Sequence, residues 1–462
     1  MHRHIIPPVT APPAPPASPT YARRLGLFSA TMLVVGGIIG SGIFLNPAIV
    51  AARVGTAGLT LAVWGLGAVV ALLGATIFAE LGRRRPRAGG GYAYLREAFG
   101  PLPAFLYGWA LLLVIASGAI AAVAVTFAGY AATLVGAPAG AERPIALAAV
   151  VLLTAVNVRG VAPGAVLQNV FTVLKLAALA ALLAAALLAP VAPAAGPAAL
   201  ALAPPLGALA TVRAVGTALV PVLFAFGGWQ QTNFVAEELQ TPERTLPRAL
   251  ALGVAVVVVV YLLANVAYLR ALGVAGLAAS AAPAADTMAR VAGRAGRTLV
   301  AAGIAASTFG FLDLVILVSP RVYEAMARDG LFFAAFARLD PRTRTPAAAI
   351  VGQGVWACAL LLVGTYGQLL DYVTFADWIF FGLAAAALVV LRRRDAAADG
   401  EADRGYRAPL YPWSVAVFVL AAAYVVAGAV ASNPANAARG ALLLLAGVPA
   451  FAFWRRRTPR GR

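Results

Sequence analysis

Residues 36–44 read GGIIGSGIF. Four glycines, Gly36, Gly37, Gly40 and Gly42, fall inside an apolar run that extends from Met32-Leu33-Val34-Val35 to Ile49-Val50. Each glycine in a helix interior costs ~1 kcal/mol relative to alanine. A chain that keeps four of them in such a setting gives up helical backbone bonding there. A second interruption stands at 221–233, PVLFAFGGWQQTN. Pro221 removes a backbone donor, Gly227-Gly228 loosens the chain, and Gln230, Gln231, Thr232 and Asn233 bring polar groups into an otherwise apolar segment.

Around these two breaks the solvent reads as lipid. The chain has 462 residues, 62% of them hydrophobic and 11% charged. That is too little polar surface to cover a soluble protein. Apolar runs long enough to cross a bilayer, at ~20 residues each, predict an all-α membrane protein of about twelve spans. They lie near 28–52, 56–82, 102–132, 142–158, 163–190, 211–235, 246–270, 297–325, 346–364, 369–391, 411–431 and 438–455. Runs such as Leu176 to Leu188 do not alternate in polarity, which argues against a β-barrel.

The formal charge of +18 is spread over short loops rather than gathered in a nucleic-acid footprint. With the N-terminus inside, 26 of the 35 basic residues fall in inner segments and 8 in outer ones, leaving Lys175 within a span. This bias puts both termini in the cytoplasm and the spans in a cell inner membrane. Residues 1–22, rich in Pro and Ala, read as a disordered cytoplasmic tail rather than a cleavable leader. His2 and His4 lie there, and no metal or other cofactor is expected. Cys358, the single cysteine, lies within a span and can form no internal disulfide.

The breaks fall in spans one and six, the first helices of two five-span halves of opposite orientation. The expected units are residues 23–193, with a break at 39–42, and 205–395, with a break at 226–229. Residues 396–462 add two spans and a basic tail. Paired broken helices in inverted halves point to a midplane binding site. Small-residue helix packing is the plainer reading of either break alone, and Gly36 with Gly40 fits its spacing. For the pair, a small zwitterion matches the chemistry. The helix restarting at Gly40, Ser41 and Gly42 offers free N–H groups and a positive dipole end to a carboxylate. Carbonyls freed before the breaks, at Ile38 and Ile39 and at Phe224, Ala225 and Gly227, would accept from an ammonium group. Trp229 either shapes the side-chain pocket or packs.

At these residues the chain resembles the amino acid–polyamine–organocation superfamily of permeases, most closely its L-type amino acid transporter branch. The motifs are GGIIGSGIF at 36–44, FAFGGWQQTNFVAEE at 224–238, TPERTLPRA at 241–249, SPRVYEAMARDG at 319–330 and RGYRAPLYPW at 404–413. The resemblance runs from about Leu25 to Arg457. It implies a LeuT-type fold of two inverted five-helix repeats plus two C-terminal helices, and carriage of α-amino acids by alternating access. It puts the substrate carboxylate at Ser41 and Gly42, the amine at the Ile38, Phe224 and Gly227 carbonyls, and an aromatic gate at Phe224. Gln230 stands where relatives often carry Asn, and Asp313 where they usually carry Asn. The outer segment 132–143 lacks the cysteine that ties animal relatives to a heavy chain, so no such partner is expected.

Lys175 is the only lysine. Arginine stays protonated where a desolvated lysine can lose its proton, so a lysine kept at mid-span points to ion-like or proton chemistry. A structural tie between carbonyls is the alternative. Asp313, in span eight, is the expected coupling partner, unless it merely hydrogen-bonds like the asparagine it replaces. Glu237 and Glu238 are read as inner anchors for loop arginines, and Asp377 as a helix-end cap, a gate or a proton group. Neither break carries an acid, so neutral L-amino acids, moved with protons or by exchange, are the expected cargo. A cationic or polyamine carrier of the same superfamily and a transport-inactive amino acid sensor are the other readings. A membrane enzyme would need a catalytic cluster that these scattered acids do not form.

Overall fold

The computed structural model describes residues 20–189, 207–363, 366–399, 405–432 and 434–457. Residues 1–19 of the expected 1–22 tail and the connection near 193–205 lie outside the described residues; Tyr21 is buried and its hydroxyl donates to Glu324 Oε2 at 3.3 Å, which corrects the tail's end. Each of the twelve apolar runs holds a helix among the described residues. The first is α1 (Leu27–Ile38) and α2 (Gly42–Val54), bent by 41° across residues 39–41. The second is α3 (Ala57–Arg84). The third runs through α5 (Pro101–Ala110), a wider π turn at Leu111–Ile115, and α6 (Ala116–Val135). α4 (Gly91–Phe99), a short amphipathic helix, precedes it. The fourth and fifth are α7 (Glu142–Val158) and α8 (Val161–Leu188). The sixth is α9 (Ala208–Ala225), continued after a break by a 3-10 helix at Trp229–Glu238. Then follow α10 (Pro242–Ala279), α11 (Pro283–Val318) with α12 (Pro320–Arg328), α13 (Ala347–Val363), α14 (Tyr366–Asp399), α15 (Trp413–Ser432) and α16 (Pro434–Arg457). Among the described residues eight helices, or nine with α1 and α2 as one span, are long and apolar enough to cross a membrane, and α13 is a shorter apolar helix. No β-sheet forms among them, and Leu25 and Leu239 make a single bridge.

Local chemistry sets the ends. Thr56 caps α3 by accepting from the Leu59 amide at 3.3 Å. Prolines open α10, α11 and α12, where a missing N–H costs nothing. α1 and α11 both pack against α8.

The arginine-rich end is laced by ion pairs. Glu80 accepts from Arg84 at 2.7 Å, from Arg392, and from the Ala408 amide at 2.7 Å. Arg85 joins Glu97 and Asp395, each at 2.6 Å. Arg321 and Glu238 pair at 2.6 Å, both buried, and Glu237 lies 3.7 Å from Arg328. The two glutamates therefore pair with arginines of α12, and the sequence suggested such arginine partners. Removing one partner of a fully buried pair costs ~3–5 kcal/mol, because the other charge stays buried.

Candidate functional site

The two breaks cross backbone to backbone. A Cβ on Gly37 would stand 2.8 Å from the Gly228 carbonyl oxygen, and a Cβ on Gly228 would overlap the Gly37 carbonyl. Gly228 also sits at φ +111°, a region open to glycine. Only glycine at both positions allows this crossing. Beside it lies a cavity of about 110 Å³. Gly40, Ser41 and Gly42 line it from span one, and Phe224, Ala225 and Gly227 from span six.

The first amides of α2, at Gly42 and Ile43, have no carbonyl one turn back to receive them. They carry the positive end of a 13-residue helix into the cavity wall. A Cβ on Gly40 would meet nothing nearer than Phe311 Cδ2 at 4.0 Å, whereas one on Gly42 would come within 2.8 Å of the Ala225 Cβ. Gly40 thus faces open space and Gly42 faces span six.

The carbonyls are not all free. Ile38 O accepts from the Tyr261 hydroxyl at 3.0 Å and from the Gly40 amide at 2.9 Å. The same hydroxyl is 3.2 Å from Ala225 O, so Tyr261 of α10 ties both breaks together. Ile39 does not line the cavity. Its carbonyl accepts from Lys175 Nζ at 2.8 Å and from Ser307 Oγ at 3.1 Å. That corrects its assignment to a substrate amine. Phe224 and Gly227 remain at the cavity wall; the Phe224 carbonyl accepts from the Phe226 amide and, at 3.1 Å, from the Gly227 amide.

Trp229 is the second correction. It is buried outside the cavity, against Phe78, Phe381 and Phe418 at ring distances of 4.9, 5.9 and 6.1 Å. It packs rather than shaping the pocket. Gln230 lines the cavity but spends its Oε1 on the Gly228 amide at 3.0 Å, bracing the break. Phe224 lines the cavity as the resemblance implied, joined by Phe311 and Phe381.

Lys175 lies behind the site, fully buried in α8. Its ammonium donates to Gly36 O at 3.2 Å and to Ile39 O at 2.8 Å. These are carbonyls at the end of α1, which the break deprives of amide partners and where the helix dipole is negative. Lys175 and Asp313 make no ion pair among the described residues, which corrects the expected pairing. Gly310 is the α11 residue beside Lys175, 3.8 Å from its Cε by an added Cβ. Asp313, three residues on, turns instead to Asn157 Nδ2 at 2.8 Å.

Tyr261 escaped the sequence reading, and Asp377 was read there only as a helix-end cap, a gate or a proton group. Tyr261 sits in VVVVVYLLANVAYL with Asn265 and Tyr268 at helical spacing, a polar stripe that could have flagged it. Asp377 lines the cavity with Tyr107, so the side-chain end does carry an acid, supplied by α14 rather than by a break. The π turn adds Leu111 and Ile115 to the wall. Such turns often mark functional positions, and nothing in LLLVI announces one.

A many-span helical protein with two broken helices crossing at a small central cavity has the build of a secondary transporter. The chain belongs to the amino acid permease family, whose profile matches residues 25–451. It is 34% identical to the b(0,+)-type amino acid transporter 1 of Oryctolagus cuniculus over 82% of this chain and 77% of that one. It is 31% identical to the serine/threonine exchanger SteT of Bacillus subtilis (strain 168) over 93% and 96%. To the Asc-type amino acid transporter 1 of Mus musculus it is 32% identical over 94% and 82%. The family and these relatives are transporters, and the chain is a multi-pass amino acid transporter rather than an enzyme.

Proposed function

We propose that the protein is a secondary active transporter of L-α-amino acids that works by alternating access around the cavity between the two breaks. The carrying observation is the set of residues meeting there: Gly40, Ser41 and Gly42 opposite Phe224, Ala225 and Gly227. The α2 amides and the Ser41 hydroxyl receive the carboxylate. The Phe224 and Gly227 carbonyls receive the ammonium. Phe224 covers the bound molecule. The small cavity and its apolar wall of Leu111, Ile115 and Phe381 favour uncharged side chains, consistent with the serine/threonine exchanger among the relatives.

Asp377 supports a second reading, carriage of cationic amino acids, because a lone carboxylate at the side-chain end can pair with an ammonium or guanidinium. A competition panel in proteoliposomes separates the two. Serine, alanine and leucine should displace labelled substrate in wild type and in Asp377→Asn. Displacement by lysine and arginine alone, lost in Asp377→Asn, establishes the second reading. Binding of amino acids without flux would make the protein a sensor.

The arginine distribution supports an inner-membrane location with both termini in the cytoplasm. Labelling of tail and loop cysteines from either side of the membrane tests it. We also propose function without a disulfide-linked heavy chain, since the one cysteine, Cys358, lies in α13 and not in an outer segment. Uptake by the purified chain alone tests that.

A further inference from the structure

Asp313 is fully buried in α11 and has no task in substrate binding. Its Oδ1 accepts from Asn157 Nδ2 at 2.8 Å, next to the end of α7. Its Oδ2 has no hydrogen-bond partner, and neither has Asn157 Oδ1.

No cation compensates this carboxyl among the described residues. The buried charged groups on the elements packed against α11 are engaged elsewhere. Lys175 of α8 donates to Gly36 and Ile39. Arg321 of α12 holds Glu238 of the 3-10 helix and the Leu317 carbonyl. Glu324 of α12 accepts from Arg328 and Tyr21. On α10, Tyr261 bonds the two breaks and Tyr268 has no partner; on α12, Tyr323 has none either. Arg159, at the end of α7, is exposed.

An isolated carboxylate in an apolar interior is expensive, and such a group takes up a proton rather than stay charged. We propose that Asp313 and Asn157 form a proton-binding site, with the proton on Asp313 Oδ2 and the Asn157 amide holding the other oxygen. The site is separate from the amino acid cavity, whose lining includes neither residue. It needs no help from Lys175. Its wall is close-packed: a Cβ on Gly164 of α8 would overlap Asn157 Oδ1 and lie 3.0 Å from Leu317 Cδ1. The pair is therefore shut off by the first turn of α8.

Infrared spectroscopy of the full chain in lipid tests this without any transport assay. Wild type at neutral pH should show a carboxylic-acid C=O band that Asp313→Asn loses. Asp313→Glu should keep an acid band at a shifted frequency, and Asp377→Asn should leave the Asp313 band in place. Asn157→Leu, which removes the donor to the acid carbonyl, should shift that band upward. If Asp313→Asn keeps the whole acid band, Asp313 is ionised and the proposal is overturned. Should Asp313→Asn fail to fold, Asn157→Leu decides alone, and an unshifted band overturns the proposal.

Discussion

At Gly40 an added methyl group finds open cavity, and at Gly42 it finds Ala225. The two glycines therefore give different tests. Gly40→Val puts a branched side chain into the carboxylate position without a backbone collision. We expect it to insert and fold normally and to lose substrate binding by at least ~10-fold, read as labelled-ligand binding to purified protein. Gly42→Val should also lower thermal stability, because span six must move. Tyr261→Phe removes the one hydroxyl that bonds both breaks. An acceptor left unpaired costs ~1–3 kcal/mol, so the melting temperature should fall and uptake should fall with it. Lys175→Ala removes the side-chain donor of Gly36 O and one of the two on Ile39 O, and should cost more, since the lost bonds are charge-assisted.

That Gly40, Ser41 and Phe224 meet at one cavity was legible in the sequence, because two interrupted spans in inverted halves point to a site between them. The places of Ile39 and Trp229 were not. Whether a carbonyl at the end of a helix faces a ligand or a lysine depends on where α8 packs, and the sequence of α1 does not carry that. The aromatic cage around Trp229 comes from α3, α14 and α15, remote in the chain.

Among the elements, the two broken spans behave differently. Span one restarts as a regular helix, whereas span six resumes as a 3-10 helix over Trp229–Glu238. One of its polar residues is drawn into other bonds: Asn233 donates to the Phe78 carbonyl and the Tyr94 hydroxyl, both at 2.9 Å. The break itself could be read from Gly227-Gly228, but the tighter helix after it could not, since it is set by those partners. The arginine-rich end of α14 offers a pH test. Burial alone would raise the Asp395 carboxyl, but the hydrogen bonds from Arg85 and Arg84 outweigh it and hold it below the usual range. A lowered folded value means that the contribution is present above the unfolded value and is lost as pH falls through the folded one. Thermal melts should show wild type losing more stability than Asp395→Asn on acidification through that window. Equal losses would show that the link between α3 and α14 carries no such contribution.

For the molecule as a whole, composition alone indicated a membrane protein, and the two glycine-rich breaks indicated a binding site between halves. The side-chain end of the cavity was hidden because Asp377, Tyr107 and Phe381 come from spans three and ten, which carry no break. The central claim is that amino acids cross the membrane through the cavity where the breaks meet. Counterflow tests it most directly: proteoliposomes of the purified chain, loaded with unlabelled serine, alanine or leucine, are given the labelled amino acid outside. The account predicts uptake well above empty liposomes for at least one of these, and its loss in Gly40→Val protein that remains folded. Absence of counterflow for all twenty amino acids in folded wild-type protein, or full counterflow in Gly40→Val, would contradict it.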